Sequence, residues 1–171
     1  LGFVLQGLAT STVVDTYTTN ITTTATTIPF GTLVPNASKI GAQRLTVSQD
    51  GEGYIAYIKS DGQLRTGSLE IDPVFGTNAS PSIWGFNVNS QTGVTGAFGY
   101  HPDDNVLSGS STRFQNNDTW AQVETTRREI ISTDGPLLND IHDILFQVRV
   151  SPLQSQGTYT AIIQYIVVPT Y

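Results

Sequence analysis

Cysteine is absent from this 171-residue chain, so neither a disulfide nor a thiolate metal site can hold the fold. Methionine is absent too, including at position 1. A chain beginning Leu-Gly-Phe is expected to be processed or cut from a longer one; removal of a signal peptide is the simplest natural route, and export is the expectation. Charge is scarce at 13%, and the net charge is −6. Of the eight basic residues only Arg127 and Arg128 are adjacent. Neutralising a polyanion needs clustered cations, so no nucleic-acid partner is expected. No apolar run reaches the ~20 residues of a membrane-spanning helix, and no membrane span is expected. Helix-forming stretches at helical spacing are missing as well. The best candidate, Leu137 to Leu145, is short and carries Asn, Asp and His.

What remains is rich in Thr, Val, Ile and Tyr, with 16 Gly and 8 Pro, a composition suited to pleated sheet and tight turns. The length fits one domain. From Ala42 the chain alternates through RLTVS, GYIAYIKS and QLRTGSLEI, separated by Asp50-Gly51 and Asp61-Gly62. These turn signals predict a three-strand meander. Ser80 to Ser111 reads as short strands, Ile83 to Val88 and Ala97 to Tyr100, between long loops, and Trp120 to Ser132 as one long strand before the turn at Asp134-Gly135-Pro136. Ile144 to Val150 and Thr158 to Val168 predict a closing hairpin across Ser151 to Gly157. In total about nine or ten short strands are expected, in a single all-β sandwich of immunoglobulin-like or jelly-roll type.

Chemistry-bearing residues are few. Nucleophilic catalysis needs a Ser or Thr beside a His oriented by a carboxylate. The only histidines, His101 and His142, stand in no such frame and are expected on loops or the surface; Ser108 lies in a loop-like LSGSS stretch. No enzyme activity, cofactor or metal is expected. The HPDDN segment from His101 to Asn105 offers Asp103, Asp104 and Asn105 as calcium ligands, with an Asx-rich turn as the preferred alternative. Candidate glycosylation sequons begin at Asn20, Asn36 and Asn117; a fourth, at Asn78, is followed by Pro81. Trp84 and Trp120 provide either sugar-stacking platforms or core. A secreted carbohydrate-binding or adhesin module is therefore the principal alternative function, with a capsid jelly roll and a secreted hydrolase behind it.

The first fourteen residues, LGFVLQGLATSTVV, place Leu1, Phe3, Leu5, Gly7, Ala9 and Val13 on one parity, which predicts an apolar-faced strand at the extreme end of the chain. Such a strand can fold back into its own sheet or enter another subunit. The segment Thr16 to Thr27 keeps Tyr17, Ile21 and Ala25 on one parity and reads as a hydroxyl-faced strand, and Pro29, Gly31 and Pro35 then interrupt the pattern. The expected organisation is a donor strand over 1–14, a Thr-rich connecting strand over 15–28 and a β-sandwich body over 29–171.

With this N-terminus beginning LGFVLQGLA, expected to be processed, a Thr-rich connector and a Cys-free body ending in a long apolar strand, the chain resembles donor-strand-complemented filament subunits, in particular archaeal bundling pilins and bacterial biofilm-matrix fibre proteins. The resemblance implies that Leu1 to Val14 fills a groove of the next subunit, with Leu1, Phe3, Leu5, Ala9 and Val13 as plugs. It also implies a cell-surface homopolymer of identical, exported subunits. The final strand needs cover on both faces, so Tyr159, Ala161, Ile163 and Tyr165 are the expected groove wall.

Overall fold

The computed structural model describes residues 1–85, 96–103, 107–114 and 118–171. Seven strands of six or more residues build the body: β1 (Gly2–Gly7), β4 (Ser38–Gln49), β5 (Gly53–Ser60), β9 (Gly96–Pro102), β11 (Arg128–Asp134), β12 (Leu137–Val150) and β13 (Ile163–Pro169). Two-residue strands stand between them: β2 (Val13–Val14), β3 (Tyr17–Thr18), β6 (Arg65–Thr66), β7 (Leu69–Glu70), β8 (Ser82–Ile83) and β10 (Thr119–Trp120). The single helical turn among the described residues is a 3₁₀ turn at Ser108–Ser110. The protein is all-β with several sheets, an arrangement compatible with a β-sandwich.

Two antiparallel sheets share the main core. One has the order β1-β4-β12-β9, the other β11-β5-β13. Between them lie Leu45 and Val47 of β4, Tyr54, Ala56 and Ile58 of β5, Phe98 and Tyr100 of β9, and Ile144, Phe146 and Val148 of β12. In β11 the register slips between Glu129 and Ile131. This bulge lets the consecutive Ile130 and Ile131 both be buried in the core, which a regular strand would forbid. Tyr165 of β13 bonds Gln43 of β4, and Tyr54 of β5 bonds Asp140 of β12, so β13 faces β4 and β5 faces β12.

A second, smaller core covers the other face of the four-stranded sheet. Ala42, Ala97 and Leu145 pack there under Val14 and Trp120, with Leu8, Tyr17 and Trp84 against them. β12 is thus buried on both faces, as its nearly continuous ILFQVRV run requires. The stretch with the best helical spacing, Leu137 to Leu145, lies within this strand.

Three of the expected reversals are instead crossings between sheets. β4 and β5 flank Asp50-Gly51 but belong to opposite sheets, as do β11 and β12 around Asp134-Gly135-Pro136 and β12 and β13 around Ser151 to Ile162. The meander is not formed; after Asp61-Gly62 the chain makes only the small β6–β7 ribbon. A glycine is required at the start of β5. Gly53 has φ at +122° and no room for a Cβ against the Thr133 carbonyl of the neighbouring β11.

Two further expectations are corrected. The Trp120 to Ser132 strand is broken into β10 and β11. The connecting strand over 15–28 is strand only at Tyr17–Thr18. The rest is irregular: its amides bond scattered backbone carbonyls at Leu8, Thr12, Thr27 and Ile40, and threonine hydroxyls satisfy further backbone groups. Buried Thr19 donates to the Ala9 carbonyl at 2.8 Å and accepts from the Thr12 amide at 3.0 Å. Thr24 accepts from the amides of Thr26 and Thr27.

Candidate functional site

The N-terminal strand folds back on its own chain. β1 pairs antiparallel with β4 from Gly2↔Ser48 to Gly7↔Gln43, as an edge strand. Phe3 lies opposite Val47 and Leu5 opposite Leu45, so both point to the inner face. β1 nevertheless lies one strand beyond β13, and no strand of the three-stranded sheet faces it. Leu1 and Phe3 consequently stay 49% and 50% exposed, and Val4, on the outer face, 55%. Gly7 is required by a close approach: a Cβ there would collide with the Thr23 carbonyl.

Anchoring begins at the next residue. The Leu8 amide donates to Thr23 Oγ1 at 2.8 Å, and the same hydroxyl donates to the Ala42 carbonyl. Val14 is buried under the second core, and the Asp15 carboxylate meets His101 Nε2 at 2.8 Å. Ala9 and Val13, expected as plugs, lie beyond the strand; Ala9 accepts hydroxyl bonds at its carbonyl, and Val13 points to solvent from β2. Leu1 to Gly7 therefore forms an arm held by edge pairing alone, and residues 8–19 are tied to the body. Thr23→Val keeps the shape and removes both hydroxyl bonds. The expected loss is about 1–2 kcal/mol by urea unfolding, with faster amide exchange at Leu8.

Beneath the arm opens a cleft of about 1310 Å³. Tyr159, Ala161, Ile163 and Tyr165 line it, the four residues expected as a groove wall, and pack on the main core. Leu64, Ile71, Phe98 and Val150 form its apolar floor, and Leu5 stands at its rim. Tyr165 donates to Gln43 Oε1 at 3.0 Å and Tyr159 to the Ser155 carbonyl at 2.8 Å, so both hydroxyls are satisfied and the rings serve as apolar surface. A strap, Thr26 to Leu33, closes the far side. Among the described residues its backbone bonds only locally, and it is held by Ile28, Phe30 and Leu33 against the core. The pattern places Thr26 to Ile28 in the connecting strand and only an interruption from Pro29 onward; the signal for the strap is the apolar spacing in IPFGTL.

Among the described residues no charged side chain lines this cleft. The arm carries none either, and Asp15 is the single charged residue between Leu1 and Lys39. Cleft and arm thus match in polarity, as the cores of protein interfaces do.

The histidines are placed otherwise than expected. His101 lies in β9 and is fully buried, with Nδ1 2.6 Å from the Thr119 carbonyl and Tyr17, Phe114 and Trp120 around its ring. His142 lies in β12, with Nδ1 3.2 Å from Asp103 and Nε2 3.1 Å from Asp140. Burial alone would lower its pKa most strongly, but Asp103 and then Asp140 outweigh it and push it up to about 9. Ser108 donates to Glu129 Oε2 at 2.7 Å, a carboxylate contact and not a histidine one. Asp103 is engaged with His142 and the Asp143 amide, and Asp104 and Asn105 lie outside the described residues. Among the described residues no group of three metal-ligating side chains converges.

Of the sequons, Asn20 is exposed while its amide brackets Ser38 and Ile40, and Asn36 is exposed in a turn at φ +64°. Asn78 is buried against Tyr100 and Glu129; Asn117 lies outside the described residues. Trp120 is fully buried, and Trp84 packs edge-on against it, so Trp120 offers no stacking platform and Trp84 only part of one. Comparisons with protein-family models, with curated proteins and with solved structures found no match.

Proposed function

We propose that this chain is a structural subunit of an extracellular, cell-surface filament, a homopolymer in which the N-terminal arm of one subunit inserts into the cleft of the next. The body would act as a single β-sandwich, with Asn20 and Asn36 as outward-facing acceptors for any attached glycan. The observation that carries the reading is the match between an uncharged arm held only by edge pairing and an uncharged, apolar cleft on the same side of the body. Phe3 and Leu1 stay about half exposed at home. Burying such side chains in a neighbour contributes on the order of 1 kcal/mol or more each. Donor and acceptor surfaces differ, so the contact is heterologous and propagates.

Sedimentation of the full chain against a Phe3→Asp, Leu5→Asp variant tests this. Both positions lie on an exposed edge strand, so the variant should fold. The expected result is concentration-dependent assembly of the first and a monomer from the second. Equal assembly by both, or none by either, would contradict the proposal.

A further inference from the structure

The two core sheets are unequal: four strands face three, and the missing position lies beside β13, directly under β1. We infer that the incoming arm of a second copy docks there, as an added strand on the free edge of β13. The inference rests on the filament reading and names the edge that receives the arm.

Backbone parity shows that this edge has hydrogen-bonding capacity. The Asp61 amide donates to the Ile162 carbonyl at 3.1 Å, and the Thr170 amide to the Gly53 carbonyl at 3.0 Å. The ladder between them runs Ile163↔Ser60 to Pro169↔Tyr54 without a bulge. In an antiparallel pair, alternate residues bond the partner and the others point away. Even-numbered residues of β13 therefore serve β5, and the amides and carbonyls of Ile163, Tyr165 and Val167 face the open edge. Ser60 agrees, since its amide turns away from β13 to the Glu124 carbonyl. Pro169 agrees too: it stands at odd parity, where a missing N–H costs β5 nothing. Among the described residues no strand pairs with this edge.

An exposed strand edge is a ready template for an extended peptide. β13 spans seven residues and the arm, Leu1 to Gly7, also seven, about 23 Å at ~3.3 Å per residue. A strand laid there has the cleft beside it, so its side chains enter an uncharged space. The arm exchanges one edge ladder for another of similar length, and its apolar side chains gain the lining of the cleft.

Amide hydrogen exchange on the wild-type chain, dispersed and assembled, tests the inference. On assembly the Ile163, Tyr165 and Val167 amides should slow at least about tenfold, and those of Gln164, Ile166 and Val168 should be protected in both states. Assembly with the odd-numbered amides still fast would overturn docking on β13 and leave the filament reading standing. Absence of assembly would overturn both. Val167→Pro gives an independent check, because it deletes an N–H on the open edge and spares the β5 ladder. It should retain the folded monomer and lose assembly, whereas a folded Val167→Pro chain that still assembles would place the arm elsewhere.

Discussion

His101→Ala is expected to destabilise the protein by roughly 3–5 kcal/mol, read as a lower urea midpoint at unchanged slope. The ring is fully buried and both its nitrogens are engaged. A carbonyl can only accept, so Nδ1 carries the proton given to Thr119, and Nε2 meets the Asp15 carboxylate. Truncation leaves that carboxylate without its partner and opens a void among Tyr17, Phe114 and Trp120. The consequence extends to the arm, because Asp15 and the neighbouring Val14 and Tyr17 hold the chain to the second core where the arm ends. Asp15→Asn keeps an acceptor oxygen and should cost less. A loss below about 1 kcal/mol for His101→Ala would contradict this anchoring role.

Stability should also fall as pH rises from about 6.5 to 9. The His142 pKa is raised from 6.5 to about 9 in the folded protein by Asp103 and Asp140, against the opposing effect of burial. The folded state thus favours the charged imidazole. Its contribution is complete below the unfolded value and disappears as pH rises through the folded one. A shift of this size corresponds to roughly 3 kcal/mol. Unfolding free energies across this range should show the decline in wild type, and His142→Gln should flatten it. An equally steep decline in the variant would assign the effect to other groups.

Local pattern disclosed the strands but not the sheets they join. Alternation in Tyr54 to Ile58 and the apolar run from Ile144 mark core strands correctly, because side-chain period is a local property. The Asp-Gly signals mark real reversals. Whether a returning strand lands beside its predecessor or across the core depends on which faces must be buried, and that is decided by residues distant in sequence. Tyr159, Ala161, Ile163 and Tyr165 all line the cleft, but the final strand expected from Thr158 begins only at Ile163, so Tyr159 and Ala161 reach the cleft from the irregular segment before β13. The arm was legible as a strand, but not its limit at Gly7, which is set by Thr23 and by the pairing of Asp15 with His101. A clue lay in Asp15 itself, one carboxylate in an otherwise uncharged N-terminal stretch. The strap was missed because Ile28, Phe30 and Leu33 follow neither helical nor strand period; they are buried by the cleft's shape.

The most direct test of the arm-in-cleft account is negative-stain electron microscopy of the purified full-length chain beside the same chain lacking Leu1 to Gly7. Residues 8–19 remain anchored in the shortened chain, so its body should stay folded, which circular dichroism checks in parallel. The account predicts filaments from the full chain and folded monomers from the shortened one; compact monomers from both, or filaments from both, would contradict it.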